Sequence, residues 1–224
     1  KTETTRQGET FIWEVVQHTS CPPGGVWCFN SFAQPVRIER HNTLGFNRTE
    51  ETTYHNDLND WVLGQVDTVT CVLGTPSANC NNTLMFDIGY DSLARGTTRS
   101  EFGKHQYTLG YYTDGNIHTF TDGRNYTTTL SSWYRGVPQN IAYPIGTVKA
   151  SVNSIGNILS TTDETNHKTN YYYLPDGRLS HIVYPTGASV SWLSTYFTYT
   201  KVTGATEHGV EPGHWRVQEQ TGSA

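Results

Sequence analysis

The 224-residue chain is poor in charge, with 16% Asp, Glu, Lys and Arg, and it holds a single Met. Ala, Leu, Glu and Lys, the residues that favour helices, are scarce, so little helix is expected. No run of about 18 apolar residues exists, so no membrane-spanning helix is expected and no membrane insertion is predicted. The net charge of -5 and a pI near 6.0 remove any electrostatic reason to bind a phosphate backbone, and nucleic acid is excluded as an expected partner. The chain begins at Lys1 in mid-pattern, without an initiator Met or signal peptide, and reads as part of something longer. No Gly-x-Ser-x-Gly elbow and no clustered phosphate-binding glycines occur, so no catalytic residues and no cofactor are predicted.

What is abundant is Thr, Ser, Asn, Gly and 14 Tyr, a mixture that suits pleated strands and turns. Four cysteines form two local pairs, Cys21 with Cys28 and Cys71 with Cys80, around Pro22-Pro23-Gly24-Gly25 and Gly74-Thr75-Pro76. Four cysteines permit three connectivities; locality favours two stapled loops. Neither spacing is the two-to-four-residue gap that suits zinc, and no metal site is predicted. Disulfides imply an oxidising compartment, hence a secreted or cell-surface location. Asn47, Asn81 and Asn125 each begin an Asn-x-Ser/Thr triplet, which carries glycan only in a eukaryotic secretory pathway.

A repeat organises the middle of the chain. Gly115, Gly136, Gly156 and Gly177 are separated by 21, 20 and 21 residues, and Ala94 precedes the first by 21. A 41-residue echo pairs Gly115-Asn116-Ile117 with Gly156-Asn157-Ile158, Thr121-Asp122 with Thr162-Asp163, and Tyr143-Pro144 with Tyr184-Pro185. Gly136, Gly146, Gly156, Asn166, Gly177 and Gly187 follow at ten or eleven residues, each predicted to reverse the chain. Strands of roughly 6 to 8 residues, about 20 to 27 Å long, are expected between them. The fold class is therefore all-β, an antiparallel meander of repeated hairpin units that curls or spirals. In Tyr171-Tyr172-Tyr173 the outer two share a face, and simple alternation puts Leu179 and Val183 opposite Ile182 and Tyr184.

Tyr171-Tyr172-Tyr173-Leu174-Pro175-Asp176-Gly177-Arg178-Leu179, followed by Tyr184-Pro185-Thr186-Gly187, resembles the tyrosine-aspartate (YD, or Rhs) repeat, with Leu174 at the aspartate position. Looser copies are Trp133-Tyr134-Arg135-Gly136, Tyr90-Asp91-Ser92-Leu93-Ala94-Arg95 and Phe29-Asn30-Ser31-Phe32-Ala33-Gln34. Tyr54 to Gln65 looks like a further degenerate unit, since Ala33, Gly64 and Ala94 lie 31 and 30 residues apart. Three regions follow: degenerate repeats with stapled loops over 1–87, regular repeats over 88–190, and a terminal strand with a Gly- and Pro-containing tail over 191–224. The resemblance implies a β-ribbon wound into a shell, as in bacterial insecticidal toxin complexes, Rhs toxins and teneurins. Such a shell encloses or scaffolds another polypeptide and performs no chemistry itself. The self-cleaving Asp-Pro-x-Gly-Leu segment of some members is missing.

The partners then expected are the remainder of a parent chain, or copies of this one, paired through open sheet edges. Asp163, Glu164 and His167 sit at a predicted turn and read as its solvated residues rather than as an acid–base pair. His208 and His214 lack a third ligand for a metal. Trp192, Tyr196 and Tyr199 are candidates for stacking on sugar rings, which makes a carbohydrate-binding or adhesion module the alternative reading; ordinary packing is the plainer explanation. A β-propeller is a third possibility, though its Trp-Asp and Gly-His marks are missing.

Overall fold

A computed structural model describes residues 1–18, 21, 27–75, 80, 82–187, 192–204 and 206–222. Pro22-Pro23-Gly24-Gly25, Pro76 and Asn81 lie outside the described residues. Seventeen β-strands and no α-helix occur among those described, so none of them forms a helix that is long and apolar enough to cross a membrane. The chain divides into two compact units, Lys1–Gly110 with Phe120–Tyr126, and Tyr111–Thr119 with Thr127–Ala224.

The first unit carries β1 (Thr2–Arg6), β2 (Glu9–Val15), β3 (Arg37–Asn42), β4 (Asn47–Asp57), β5 (Val62–Thr75), β6 (Thr83–Tyr90), β7 (Gly96–Glu101) and β8 (Lys104–Tyr111). Each pairs antiparallel with its predecessor in sequence. Next in the chain is β9 (Ile117–Asp122). The second unit continues through β10 (Thr127–Tyr134), β11 (Val137–Tyr143), β12 (Gly146–Val152), β13 (Ile158–Thr162), β14 (Lys168–Tyr173), β15 (Leu179–Val183), β16 (Thr195–Lys201) and β17 (Trp215–Thr221). Here too β10 to β17 pair in sequence order, so the expected antiparallel meander is what forms. Residues 191–224 hold two strands, β16 and β17, rather than one.

Side chains rarely bury fully in this fold. Among the described residues a compact apolar cluster joins Val15 and Ile38 to Cys21 and Cys28, with Trp13, Val16 and Val36 packed against it. Cys21 and Cys28 are bonded across Cα atoms 5.0 Å apart, and Cys71 to Cys80 across 5.4 Å. With so little three-dimensional core, the order of the chain rests on strand ladders and on what happens at the turns.

Several expectations change at this level. Strand lengths run from 5 to 14 residues, because β4 and β5 form a hairpin of 11 and 14 residues. Gly64 lies inside β5 with φ 84°, at a register shift against β4, while the reversal itself falls at residues 58–61. Gly74 and Thr75 do not turn; they extend β5 opposite Arg48 and Asn47. Gly146 opens β12 rather than reversing the chain, since Tyr143 pairs with Gly146 around Pro144-Ile145. Its glycine is explained by close approach: a Cβ there would stand 2.7 Å from the Glu164 side chain. Finally, Leu179 stands opposite Tyr173 while Ile182 stands opposite Tyr171, which puts Leu179 and Ile182 on one face. A register shift between Tyr172 and Tyr173 inserts the extra residue that defeats simple alternation.

Candidate functional site

The distinctive chemistry is a turn repeated with one hydrogen-bond pattern. In eight five-residue turns, beginning at Asn30, Asn42, Asp91, Tyr112, Asp122, Asn153, Asp163 and Leu174, the first N–H donates to the fifth carbonyl and the fourth N–H to the first carbonyl. The fourth residue has φ between 56° and 96° in every case: Ala33, Gly45, Ala94, Gly115, Asn125, Gly156, Asn166 and Gly177. This is a type I turn closed by one left-handed residue, a reversal that joins twisted antiparallel strands without splaying them. Ala94, Gly115, Gly156 and Gly177 are each the left-handed fourth residue of one of these turns. Gly136 reverses the chain by a different route: Arg135 and Gly136 both have positive φ, at 51° and 78°, in a two-residue turn that pairs Tyr134 with Val137. Gln7-Gly8, Phe102-Gly103 and His208-Gly209 repeat that two-residue form. The 20- and 21-residue glycine period thus runs through two turn chemistries.

Aspartate or asparagine supplies the polar half of the larger turn. At Asp91 one carboxylate oxygen accepts from the Leu93 and Arg95 amides, each at 3.0 Å, and the other receives Arg95 Nε at 2.8 Å. Asn30, Asn42, Asp122, Asn153 and Asp163 accept from the third and fifth amides in the same manner. Where Leu174 occupies the first position, the carboxylate moves two residues on. Asp176 accepts from the Arg178 amide at 3.1 Å and from its guanidinium at 2.8 and 2.5 Å. The Arg95 guanidinium beside Asp91, and that of Arg178 beside Asp176, hold those carboxyls below their ordinary value. Backbone N–H donors, first among them those of Asn116, Tyr126 and His167, do the same for Asp114, Asp122 and Asp163. The Asp163–His167 pair is accordingly a turn element. Thr165 Oγ1 bonds Asp163 at 2.8 Å and His167 Nδ1 at 2.6 Å, closing the loop on itself.

A second device links one reversal to the next strand. Tyr54 O–H donates to Pro35 O at 2.8 Å, Tyr90 O–H to Val66 O at 2.6 Å, Trp133 Nε1–H to Ile117 O at 3.0 Å, Tyr173 O–H to Ile158 O at 2.8 Å, and Tyr199 O–H to Leu179 O at 2.9 Å. Each acceptor lies two residues after a positive-φ residue, namely Ala33, Gly64, Gly115, Gly156 and Gly177. Burial pushes the Tyr54, Tyr90 and Tyr173 hydroxyls above their ordinary value, which keeps them protonated as donors. The tyrosine of the Tyr-Asp pair is thus a latch to the preceding unit, and the aspartate closes its own turn.

Two solved structures share this fold. The pore of the Photorhabdus luminescens Tc holotoxin matches with a TM-score of 0.56 at 8% identity, over 87% of this chain and 11% of the toxin chain. A TcdB2–TccC3 crystal structure without the hypervariable C-terminal region matches with a TM-score of 0.50 at 9% identity, over 93% of this chain and 12% of that one. No protein-family model and no curated protein sequence matches. The chain therefore spans about a tenth of the toxin-complex chains whose fold it shares.

The three aromatic candidates for sugar stacking are not brought together. Tyr196 stacks on His181 at 5.3 Å, and His181 in turn on Tyr172 at 4.2 Å, a row that crosses β14, β15 and β16. Tyr199, three residues along β16, takes the other face; there the Arg178 guanidinium lies 4.6 Å from its ring and 4.7 Å from that of Trp215. Trp192 leans on Tyr184 at 6.2 Å. Among the described residues no group of three or more His, Cys, Asp or Glu is placed to hold a metal ion. His208 sits in its two-residue turn, and His214 Nδ1 lies 2.7 Å from the Glu211 carbonyl. Asn47 is held by Glu39 at 2.6 Å inside a ladder, whereas Asn125 is an exposed turn residue. The latch was missed from sequence, although each donor is an aromatic residue at or near a strand's end.

Proposed function

We propose that this chain is a wall segment of a secreted YD-repeat shell, which encloses or scaffolds another polypeptide in a toxin-delivery or cell-surface protein, and that the segment itself carries no catalysis. The observation that carries the reading is the recurrence of one unit, a closed turn followed by an aromatic latch. A wall needs units that fix their neighbours locally and can be added without limit, and contacts between successive units supply that. The fold similarity to Tc toxin chains over 87% of the chain agrees with it, as does the YD resemblance of residues 171–187. The disulfides support the reading of an exported protein, since such bonds persist in oxidising compartments. Its partners are the remainder of a longer parent chain. Bacterial origin is the setting this role implies.

The test is protease protection in the intact parent polypeptide. A cleavage site introduced into the segment presumed to be enclosed should resist protease until the wall is opened by substitutions at several latch tyrosines. Equal cleavage of the closed and opened forms would overturn the enclosing role.

A further inference from the structure

One face of β2, β3 and β4 is closed at one end and open at the other. Val15 stands opposite Ile38, and Ile38 opposite Glu50, beneath the Cys21–Cys28 cluster. Two residues along, Trp13 stands opposite Arg40, and Arg40 opposite Arg48, with Thr2 of β1 completing the row. This end is an uncovered cleft of about 510 Å³, within the range that holds a ligand. Phe11 and Phe46 form its apolar walls and are 46% and 51% exposed.

Glu50, with only 5% of its side chain accessible, receives Arg40 Nε at 3.1 Å and Arg48 Nη2 at 2.5 Å. Among the described residues the other guanidinium nitrogens of both arginines have no protein partner, and both side chains are nearly half exposed. No acidic residue lines the cleft. Two guanidinium charges and one carboxylate leave about +1, which suits a monoanion rather than a polyphosphate. Three inter-strand steps of about 4.8 Å make a floor about 14 Å across, the length of roughly four extended residues. We propose that this cleft binds an extended polypeptide segment bearing an Asp or Glu two residues from an aromatic or large aliphatic side chain, so that both point at the floor. The carboxylate pairs with the free nitrogens of Arg40 and Arg48, and the apolar neighbour covers Phe11, Trp13 and Phe46. This assignment stands apart from the shell reading.

Fluorescence anisotropy on the 224-residue chain tests it, with a labelled peptide repeating Glu-Ser-Phe-Ser, which puts Glu and Phe on one face, and a matched peptide repeating Gln-Ser-Phe-Ser. The Glu peptide should bind saturably and at least about tenfold more tightly than the Gln peptide. Phe46→Ala, which leaves the Arg40–Glu50–Arg48 group intact, should weaken binding about fivefold or more with an unchanged circular dichroism spectrum. Arg48→Lys should weaken it as well, since the planar fork is lost. Equal binding of the two peptides, wild-type affinity in Phe46→Ala, no binding up to about 1 mM peptide, or tighter binding of ADP than of the Glu peptide would each overturn the assignment.

Discussion

Replacing Tyr173 by Phe isolates the latch, because it removes one oxygen and keeps the ring. The lost bond is the 2.8 Å donation to Ile158 O, between half-buried residues. A net hydrogen bond contributes about 1 kcal/mol, and leaving the carbonyl without its donor raises the cost, so a loss of about 1.5 kcal/mol is expected. At about 2–4 °C per kcal/mol for a chain of this size, the melting temperature should fall by about 3–6 °C. Tyr134→Phe is the control: that hydroxyl has no partner among the described residues and the ring is 41% exposed, so its effect should stay within about 0.5 kcal/mol. Tyr54→Phe breaks a latch in the first compact unit, to Pro35 O, and the double variant with Tyr173→Phe should sum the two losses to within about 0.5 kcal/mol. Urea denaturation followed by circular dichroism reads all four proteins. If Tyr173→Phe is no worse than Tyr134→Phe, the latch contributes nothing to stability and the unit has been misread.

Gly177→Val forces a β-branched residue to φ 85° and should cost about 1–3 kcal/mol, measured as a shift in the urea midpoint. The turn carboxylates Asp91, Asp114, Asp122, Asp163 and Asp176 titrate below their ordinary value of 3.8, so their stabilisation is present above pH 3.8 and lost as pH falls through the lower folded values. Acid titration of Asp176→Asn should accordingly show a shallower loss than wild type. The raised hydroxyls of Tyr54, Tyr90 and Tyr173 have the opposite window: stability is intact below pH 10.0 and lost as pH rises through their folded values, and Tyr173→Phe should flatten that alkaline loss. Removing the Cys21–Cys28 bond with a Ser pair, which opens a link between residues seven apart, should cost about 2.5 kcal/mol by chain entropy, read from thermal melts.

The turns were legible because their requirement is local. A left-handed residue must be Gly or Asn unless the turn is otherwise held, and the periodic glycines report that demand directly. Ala33 and Ala94 fill the same position without that excuse, at φ 59° and 56°, and only spacing revealed them. Asp91 and Asn30 hold those turns, each with two amide bonds to its own side chain. Strand faces were less legible, because the register shift at Tyr172 depends on the pairing and not on the order of residues. Gly146 misled for a related reason. It is small to make room for Glu164, eighteen residues on, and a glycine of close approach looks the same in sequence as a glycine of positive φ.

The exchange of Asp91 for Leu174 shows how such a repeat tolerates drift. In the first copy the aspartate opens the turn and binds Arg95; in the second it sits at position 176 and binds Arg178, two residues later. Both arrangements bring a carboxylate oxygen to the fifth amide and a guanidinium to the carboxylate, so the turn closes either way. Arg178 also lies beside the rings of Tyr199 and Trp215. Because Tyr199 is also the donor to Leu179, its cation–π contact with Arg178 joins the turn to the latch there. Drift in such a repeat is constrained by hydrogen-bond geometry and not by residue identity, which is why eight turns of differing residues keep one backbone hydrogen-bond pattern.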